Sequence, residues 1–208
     1  MPIERGLLIT IEGLDGAGKT TLATALAGAL TAQGINVRQL REPGGVHAAE
    51  RVRDLVKDPT LQVAARTEAL LYAAARAQLV EEALEPLLNG GVWVLLDRYI
   101  DSSLAYQGAG RGLGIEAVRQ INEFATEELR ADRTLLLEID PADGRSRSLE
   151  RRDPPDRIEL EDDGFYARVA SAYTKLADED PRRITRIDAA RAPADVLAAA
   201  LAALQDLL

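Results

Sequence analysis

Leu7-Leu-Ile-Thr-Ile-Glu12, followed by Gly13-Leu-Asp-Gly-Ala-Gly-Lys19-Thr20-Thr21, is the stretch from which the fold is read. The apolar, β-branched run predicts a buried strand. The spacing G-x-x-x-x-G-K-T comes next, and Leu22-Ala-Thr-Ala-Leu-Ala-Gly-Ala-Leu30 predicts a helix. Strand, glycine loop and helix in that order are the setting of a phosphate-binding P-loop. Gly13, Gly16 and Gly18 permit backbone angles that let successive N–H groups converge on one anion. The helix N-terminus adds unpaired donors and a positive dipole. Lys19 is expected to reach the β- and γ-phosphates, and the Thr20 hydroxyl to ligate Mg²⁺. The ATP-binding set is therefore Gly13, Leu14, Asp15, Gly16, Ala17, Gly18, Lys19, Thr20 and Thr21.

Composition narrows the class. The chain has 208 residues, enough for one α/β domain with a substantial core. A net charge of −9 argues against non-specific binding to nucleic acid or to an anionic membrane, which call for a basic surface. Cysteine is absent, which excludes disulfides and thiolate metal sites. No apolar run reaches membrane-spanning length, and the first residues lead into strand 1 without a signal-peptide pattern. A cytoplasmic location is expected.

Further along, Asn36–Leu40 reads as a second strand, broken by the turn residues of Arg41-Glu-Pro-Gly-Gly45. Arg41 thus sits at a strand's C-terminal end, where open parallel sheets bind ligands. A short helix over 48–56 carries Arg53, and a long helical pattern runs over 63–88. Val92–Leu96 is a continuous apolar run, read as a central strand that delivers Asp97 to the P-loop edge as a second Mg²⁺-directed group. A Ser- and Gly-rich loop is expected over 102–112. Then come a helix over 115–129, a strand over 133–139, a polar segment over 140–156, a helix over 162–177, a strand over 184–187 and an Ala/Leu-rich helix from Ala194. The alternation predicts an α/β P-loop NTPase fold: a doubly wound, five-stranded parallel sheet with helices on both faces. Residues 1–208 read as one domain containing a short mobile lid at 142–157.

Arg145, Arg147, Arg151, Arg152 and Arg157 crowd that lid. The variable P-loop positions Leu14 to Ala17 hold no cation, so charge at the transferring phosphoryl group has to be met from elsewhere, and the lid is the nearest source.

No N-K-x-D guanine-reading motif is present, which removes GTPase switches. Gly13–Thr20, Arg41-Glu-Pro-Gly-Gly45, Asp97-Arg-Tyr99, Ser103-Leu-Ala-Tyr-Gln-Gly108 and Asp156-Arg-Ile-Glu159 together resemble the thymidylate kinase family over nearly the whole chain. The resemblance implies transfer of the γ-phosphate of MgATP to dTMP, giving dTDP. By the same resemblance Lys19, Asp97, Arg98 and Arg152 are catalytic, Thr20 and Asp97 serve the metal, and Arg41, Arg53 and Arg98 hold the acceptor phosphate. Tyr72 stacks on thymine and Arg76 hydrogen-bonds it, while Ser103, Tyr106 and Gln107 line the thymidine pocket and Asp15 faces the sugar 3′-hydroxyl. Arginines in the lid rather than in the P-loop resemble the bacterial lid-arginine type; alignment through Asp156–Glu159 favours Arg152, with Arg147 and Arg151 as rivals. The resemblance also implies a homodimer, for which the 63–88 helix offers a face. Another nucleoside or nucleotide monophosphate kinase, with Glu12 as the nearest candidate base, or a non-catalytic nucleotide-binding protein, stays open at this point.

Overall fold

The computed structural model describes residues 4–149 and 155–208. Five strands, β1 (Leu8–Gly13), β2 (Val37–Arg41), β3 (Trp93–Asp97), β4 (Arg133–Glu138) and β5 (Ile184–Asp188), form one sheet in the order β2-β3-β1-β4-β5. Every neighbouring pair is parallel. Such a sheet is covered on both faces, and the alternation along β1 decides which side chain goes where. Ile9 and Ile11 join Leu95, Leu135 and Leu137 under Leu22, Leu26 and Leu30 of α1 (Lys19–Ala32) and Val196 and Ala200 of α9 (Pro193–Ala202). Leu8 faces the opposite way, with Val94 and Leu96, against Leu79, Leu84 and Leu88. That second face places Thr10 and Glu12 in the interior, both fully buried.

Between β2 and β3 run α2 (His47–Lys57), α3 (Ala65–Leu79), a π-helical turn (Val80–Leu84) and α4 (Glu85–Asn89). The helix expected over 63–88 is thus one continuous helical path with a π-turn inside it. Next in the chain, α6 (Ile115–Thr126) precedes β4 and packs on α3, while α7 (Pro141–Leu149) and α8 (Asp163–Glu179) lie between β4 and β5. The Asp162 carboxylate caps α8 by accepting from the Phe165 N–H at 2.7 Å. No helix among the described residues is long and apolar enough to cross a membrane.

One expected loop is helical. Where a Ser- and Gly-rich loop was expected over 102–112, the chain forms α5 (Ile100–Ser103) and a π-helical segment (Leu104–Gly110). Leu104, Ala105 and Tyr106 are buried in the apolar cluster built on α8. The glycines there serve close packing rather than a turn. A Cβ on Gly110 would meet the Phe165 ring at 2.7 Å, and one on Gly108 would lie 3.1 Å from Ile115 Cα. The polar segment from Asp140 opens with α7, seated against α8.

The connection from β1 runs past β3 to β2, and the one from β3 runs the opposite way past β1 to β4, so a cleft opens at this switch point above the strands' C-terminal ends. Ile11 is level with Asp97, and Arg41 is level with Asp97 on the other side. One sheet edge therefore carries the P-loop, Asp97 and Arg41 together.

Candidate active site

Gly13, Gly16 and Gly18 all adopt positive φ, at 137°, 79° and 91°, which lets the loop fold back over β1. Lys19 is buried under this loop and donates to the carbonyls of Leu14 (2.9 Å) and Gly13 (3.2 Å). Burial and the nearby Arg98 push its ammonium down to about 8, against the pull of Asp15, Asp97 and Glu12. The Thr20 hydroxyl donates to Asp97 Oδ2 at 3.1 Å, so the two sequence-predicted metal residues stand side by side. No cluster of three or more His, Cys, Asp or Glu that could hold a metal occurs among the described residues. One hydroxyl and one carboxylate suit Mg²⁺, which keeps waters and binds through few protein oxygens plus substrate phosphates.

Arg98 follows β3 with φ 71°, a left-handed backbone that a side chain tolerates at a cost of about 1–3 kcal/mol. The turn aims its guanidinium back under the P-loop. One terminal nitrogen donates to the Gly13 carbonyl (3.1 Å) and Ser102 Oγ (3.1 Å). The other donates to Asp15 Oδ1 (2.7 Å) and Tyr106 Oη (3.3 Å). The group also lies 4.9 Å from the centroid of the Tyr106 ring, within cation–π range. Burial alone would raise the Asp15 carboxyl; Arg98 and Lys19 outweigh it and hold Asp15 well below the usual carboxylate range. Asp15 is therefore an anion at neutral pH, turned away from the phosphate cradle.

Glu12 lies beneath this pair, fully buried. It accepts from the Tyr99 N–H (2.8 Å), Ser102 Oγ (2.5 Å) and Tyr173 Oη (2.9 Å). Since Arg98 donates to the same Ser102, Glu12 props the arginine from below. Burial, with Asp101 close by, pushes its carboxyl up to about 7, against the Ser102 hydrogen bond and the Arg98 charge.

A cavity of about 410 Å³ opens from the P-loop. Asp15, Gly16, Gly18, Lys19, Thr20 and Thr21 line one end. Arg41, Arg53, Tyr72, Arg76, Asp97, Arg98, Ser103, Tyr106 and Gln107 line the rest. Of the sequence-predicted set, Gly13, Leu14 and Ala17 shape the loop without lining this cavity; Leu14 faces a smaller one beside α7. Arg41 pairs with Glu50 through two contacts of 3.0 and 3.1 Å, and Arg53 donates to the Pro43 carbonyl at 2.9 Å. Burial and the neighbouring Arg41 charge lower the pKa of Arg53.

Arg76 is almost wholly buried and directs its N–H groups to Glu42, Ser103, Asn122 and the Tyr99 carbonyl. A base contact from Arg76 would have to share one of these donors. Glu42, Pro43, Lys57, Ser102, Asp156, Ile158 and Glu159 also line the cavity and carry no role in the sequence reading, while Arg147, a rival for the lid role there, lines it too. Glu42, Pro43 and Asp156 to Glu159 lie inside two of the quoted motifs, of which the sequence reading places only Arg41 in the site. Ser102 and Lys57 carried no such signal.

The P-loop and α7 touch at two glycines. A Cβ on Gly16 would lie 2.0 Å from the Gly144 carbonyl, and one on Gly144 would lie 2.8 Å from the Asp15 carbonyl. With α7 seated there, the loop has no room for an arginine at position 16. Of the arginines in 142–157, Arg147 lines the cavity and donates to the Ala189 carbonyl at 3.2 Å. Arg145 pairs with Asp163, and Arg157 with Glu68 at 2.6 Å. Arg151 and Arg152 lie outside the described residues.

Glu12 makes stability pH-dependent. Its folded pKa of about 7 lies above the 4.5 of a free glutamate, so the folded state holds the proton more tightly. The stabilising contribution is whole below about pH 4.5 and is lost as pH rises through about 7, roughly 3 kcal/mol in all. Urea midpoints measured from pH 5 to 8 should fall more for wild type than for Glu12→Gln; parallel profiles would refute the assignment.

Comparison with known proteins agrees with this geometry. A family model described as "Thymidylate kinase" matches residues 11–200. The thymidylate kinase of Deinococcus radiodurans is 48% identical over 197 residues, covering 95% of each chain. That of Lactobacillus delbrueckii subsp. bulgaricus is 46% identical, covering 95% of this chain and 94% of its own. Among solved structures, the thymidylate kinase of Ehrlichia chaffeensis superposes with a TM-score of 0.80 at 29% identity, over 97% of this chain and 99% of that one. With the glycine cradle, the Thr20–Asp97 pair and the Arg98–Asp15 pair on one edge of a parallel sheet, and relatives matched over almost their full length, this chain belongs to the thymidylate kinase family.

Proposed function

We propose that the chain transfers the γ-phosphoryl group of ATP to dTMP, giving dTDP and ADP. The observation that carries this reading is one continuous cavity running from the P-loop, past Arg98 and Asp15, to a wall of Tyr72, Ser103, Tyr106 and Gln107. A triphosphate fits the glycine end. The arginine-lined middle fits a second phosphate, and the aromatic and amide end fits a base.

An oxygen of the acceptor phosphate attacks the γ-phosphorus, and the bond from that phosphorus to the β-bridging oxygen breaks. The attacking oxygen is already anionic, so positioning and charge neutralisation suffice. Arg41, Arg53 and Arg98 are suited to clamp the acceptor phosphate, because guanidinium groups bind phosphate bidentately. Asp15 fits the role of receiving the sugar 3′-hydroxyl, and Tyr106, beside it at 3.4 Å, crowds a 2′-hydroxyl. Lys19 would neutralise the β- and γ-phosphates. Thr20 and Asp97 would hold Mg²⁺, which supplies charge neutralisation at the β- and γ-oxygens when bound. Glu12 is sealed beneath Arg98 and does not line the cavity, which weighs against a base-assisted nucleoside kinase.

We further propose that 142–157 acts as a lid bringing arginine to the transferring phosphoryl group, that the chain is a homodimer, and that it works in the cytoplasm. Contact between α7 and the P-loop supports the lid. For the dimer, α3 and α6 pack side by side and each leaves a large apolar side chain in solvent, Leu70 at 55% and Phe124 at 90% exposure.

An ADP-release assay across dTMP, UMP, dUMP, AMP and thymidine should favour dTMP, and comparable kcat/KM for dTMP and UMP would sink the assignment of Tyr106. Arg152→Ala should lower kcat about a hundredfold or more. Wild-type kcat in that variant, with loss in Arg147→Ala instead, would move the role to Arg147. Sedimentation equilibrium should find a dimer that Phe124→Asp converts to monomer; an unchanged mass would exclude this face.

A further inference from the structure

Glu68 takes no part in the chemistry described above, yet it is fully buried and carries a charge. It stands in the first turn of α3, one turn before Tyr72, so both share a helix face. Three side chains from outside α3 meet around it. Gln107, from the acceptor wall, donates to its Oε1 at 2.8 Å. Arg111, just after the π-helical segment, donates through Nε to both oxygens at 3.1 and 3.2 Å and also pairs with Glu161. Arg157, at the exit of the 142–157 segment, stands 2.6 Å from Oε2 and donates from Nε to the Val56 carbonyl at 3.1 Å. The neighbouring Asp156 is tied to Lys57 at 2.6 Å. The segment's exit is thus bolted to α2 and α3, and the bolt on α3 is the group that orients Gln107.

We propose that Glu68 is a positioning residue that fixes the acceptor wall and the exit of the 142–157 segment as one unit, through Gln107 and Arg157. The chemistry supports a single role for the three. A buried carboxylate between two guanidinium groups has one arrangement that satisfies every charge, and a shift of either arginine leaves a buried ion unpaired. Gln107 cannot reorient while its acceptor is held. Where the wall sits and where the segment's exit sits are therefore set together. Tyr72 on the same helix face shares the constraint.

The inference rests on the dTMP reading, and the experiment separates the two. Glu68→Gln, Arg157→Gln and the double variant are compared with wild type for kcat and for the KM of dTMP and of ATP, with thermal melts recorded alongside. Each single variant should lose about tenfold in kcat/KM for dTMP, with KM for ATP within about threefold. The double variant should lose no more than the worse single variant, because either change alone already breaks the unit. Losses that multiply in the double variant would overturn the proposal, as would a Glu68→Gln enzyme with both kcat and dTMP KM within about twofold of wild type. Should Glu68→Gln fail to fold, Arg157→Gln decides alone. Arg157 does not touch the acceptor wall, so a raised dTMP KM in that variant supports the link and an unchanged one overturns it. Should wild type prefer another acceptor, the dTMP reading fails by itself, and the same cycle is read on the preferred acceptor.

Discussion

The Arg98–Asp15 ion pair, 2.7 Å long and set under the P-loop, is the contact on which the rest of the site depends. It brings the end of β3 to the loop after β1 and joins the glycine loop to the Tyr106 side of the same cavity. It also settles a local conflict. A carboxylate inside an anion-binding loop repels the ligand unless it is turned away and neutralised, and Arg98 does both. The left-handed backbone at Arg98 costs stability, and its hydrogen bonds to Gly13, Ser102, Asp15 and Tyr106 hold it there.

Around this pair the interior is built on buried carboxylates. Glu12 braces the arginine from below, Glu42 locks Arg76, and Glu68 gathers Gln107, Arg111 and Arg157. Each is sealed from solvent, where an unpaired charge is costly; Glu12 and Glu68 accept from several residues and fix their positions, and Glu42 accepts two N–H groups of Arg76. Positional precision, more than net stability, is what such groups supply, since replacing a buried pair with apolar residues is often neutral. The outer shell of the cavity is set by these three acids.

Much of the fold was legible because its signals are local. The apolar runs at Leu8–Gly13 and Trp93–Asp97 are strands buried on both faces, and G-x-x-x-x-G-K-T fixes the loop between a strand and a helix. The site was legible where residues sit inside contiguous motifs: Lys19, Thr20, Asp97, Arg98, Tyr106 and Gln107 all line the cavity. The reading that failed took composition for conformation. Ser and Gly over 102–112 suggested a loop, yet the glycines admit Phe165 and Ile115 at close range within a helical segment. The polar run from Asp140, to which the sequence assigned no conformation, opens as α7, which rests on α8.

By itself, then, the sequence determined the order of strands and helices, the phosphate cradle and the cluster of arginines, all of which depend on neighbours within about twenty residues. Tertiary structure alone decided the partnerships across long stretches of chain. Asp15 meets Arg98, Glu12 meets Tyr173, and Glu68 meets Arg157, with separations of 83, 161 and 89 residues. It also decided that Gly16 lies against Gly144. No pattern in the sequence specifies which buried acid receives which arginine. That choice is made when the sheet closes and every charge taken out of water has to find a partner.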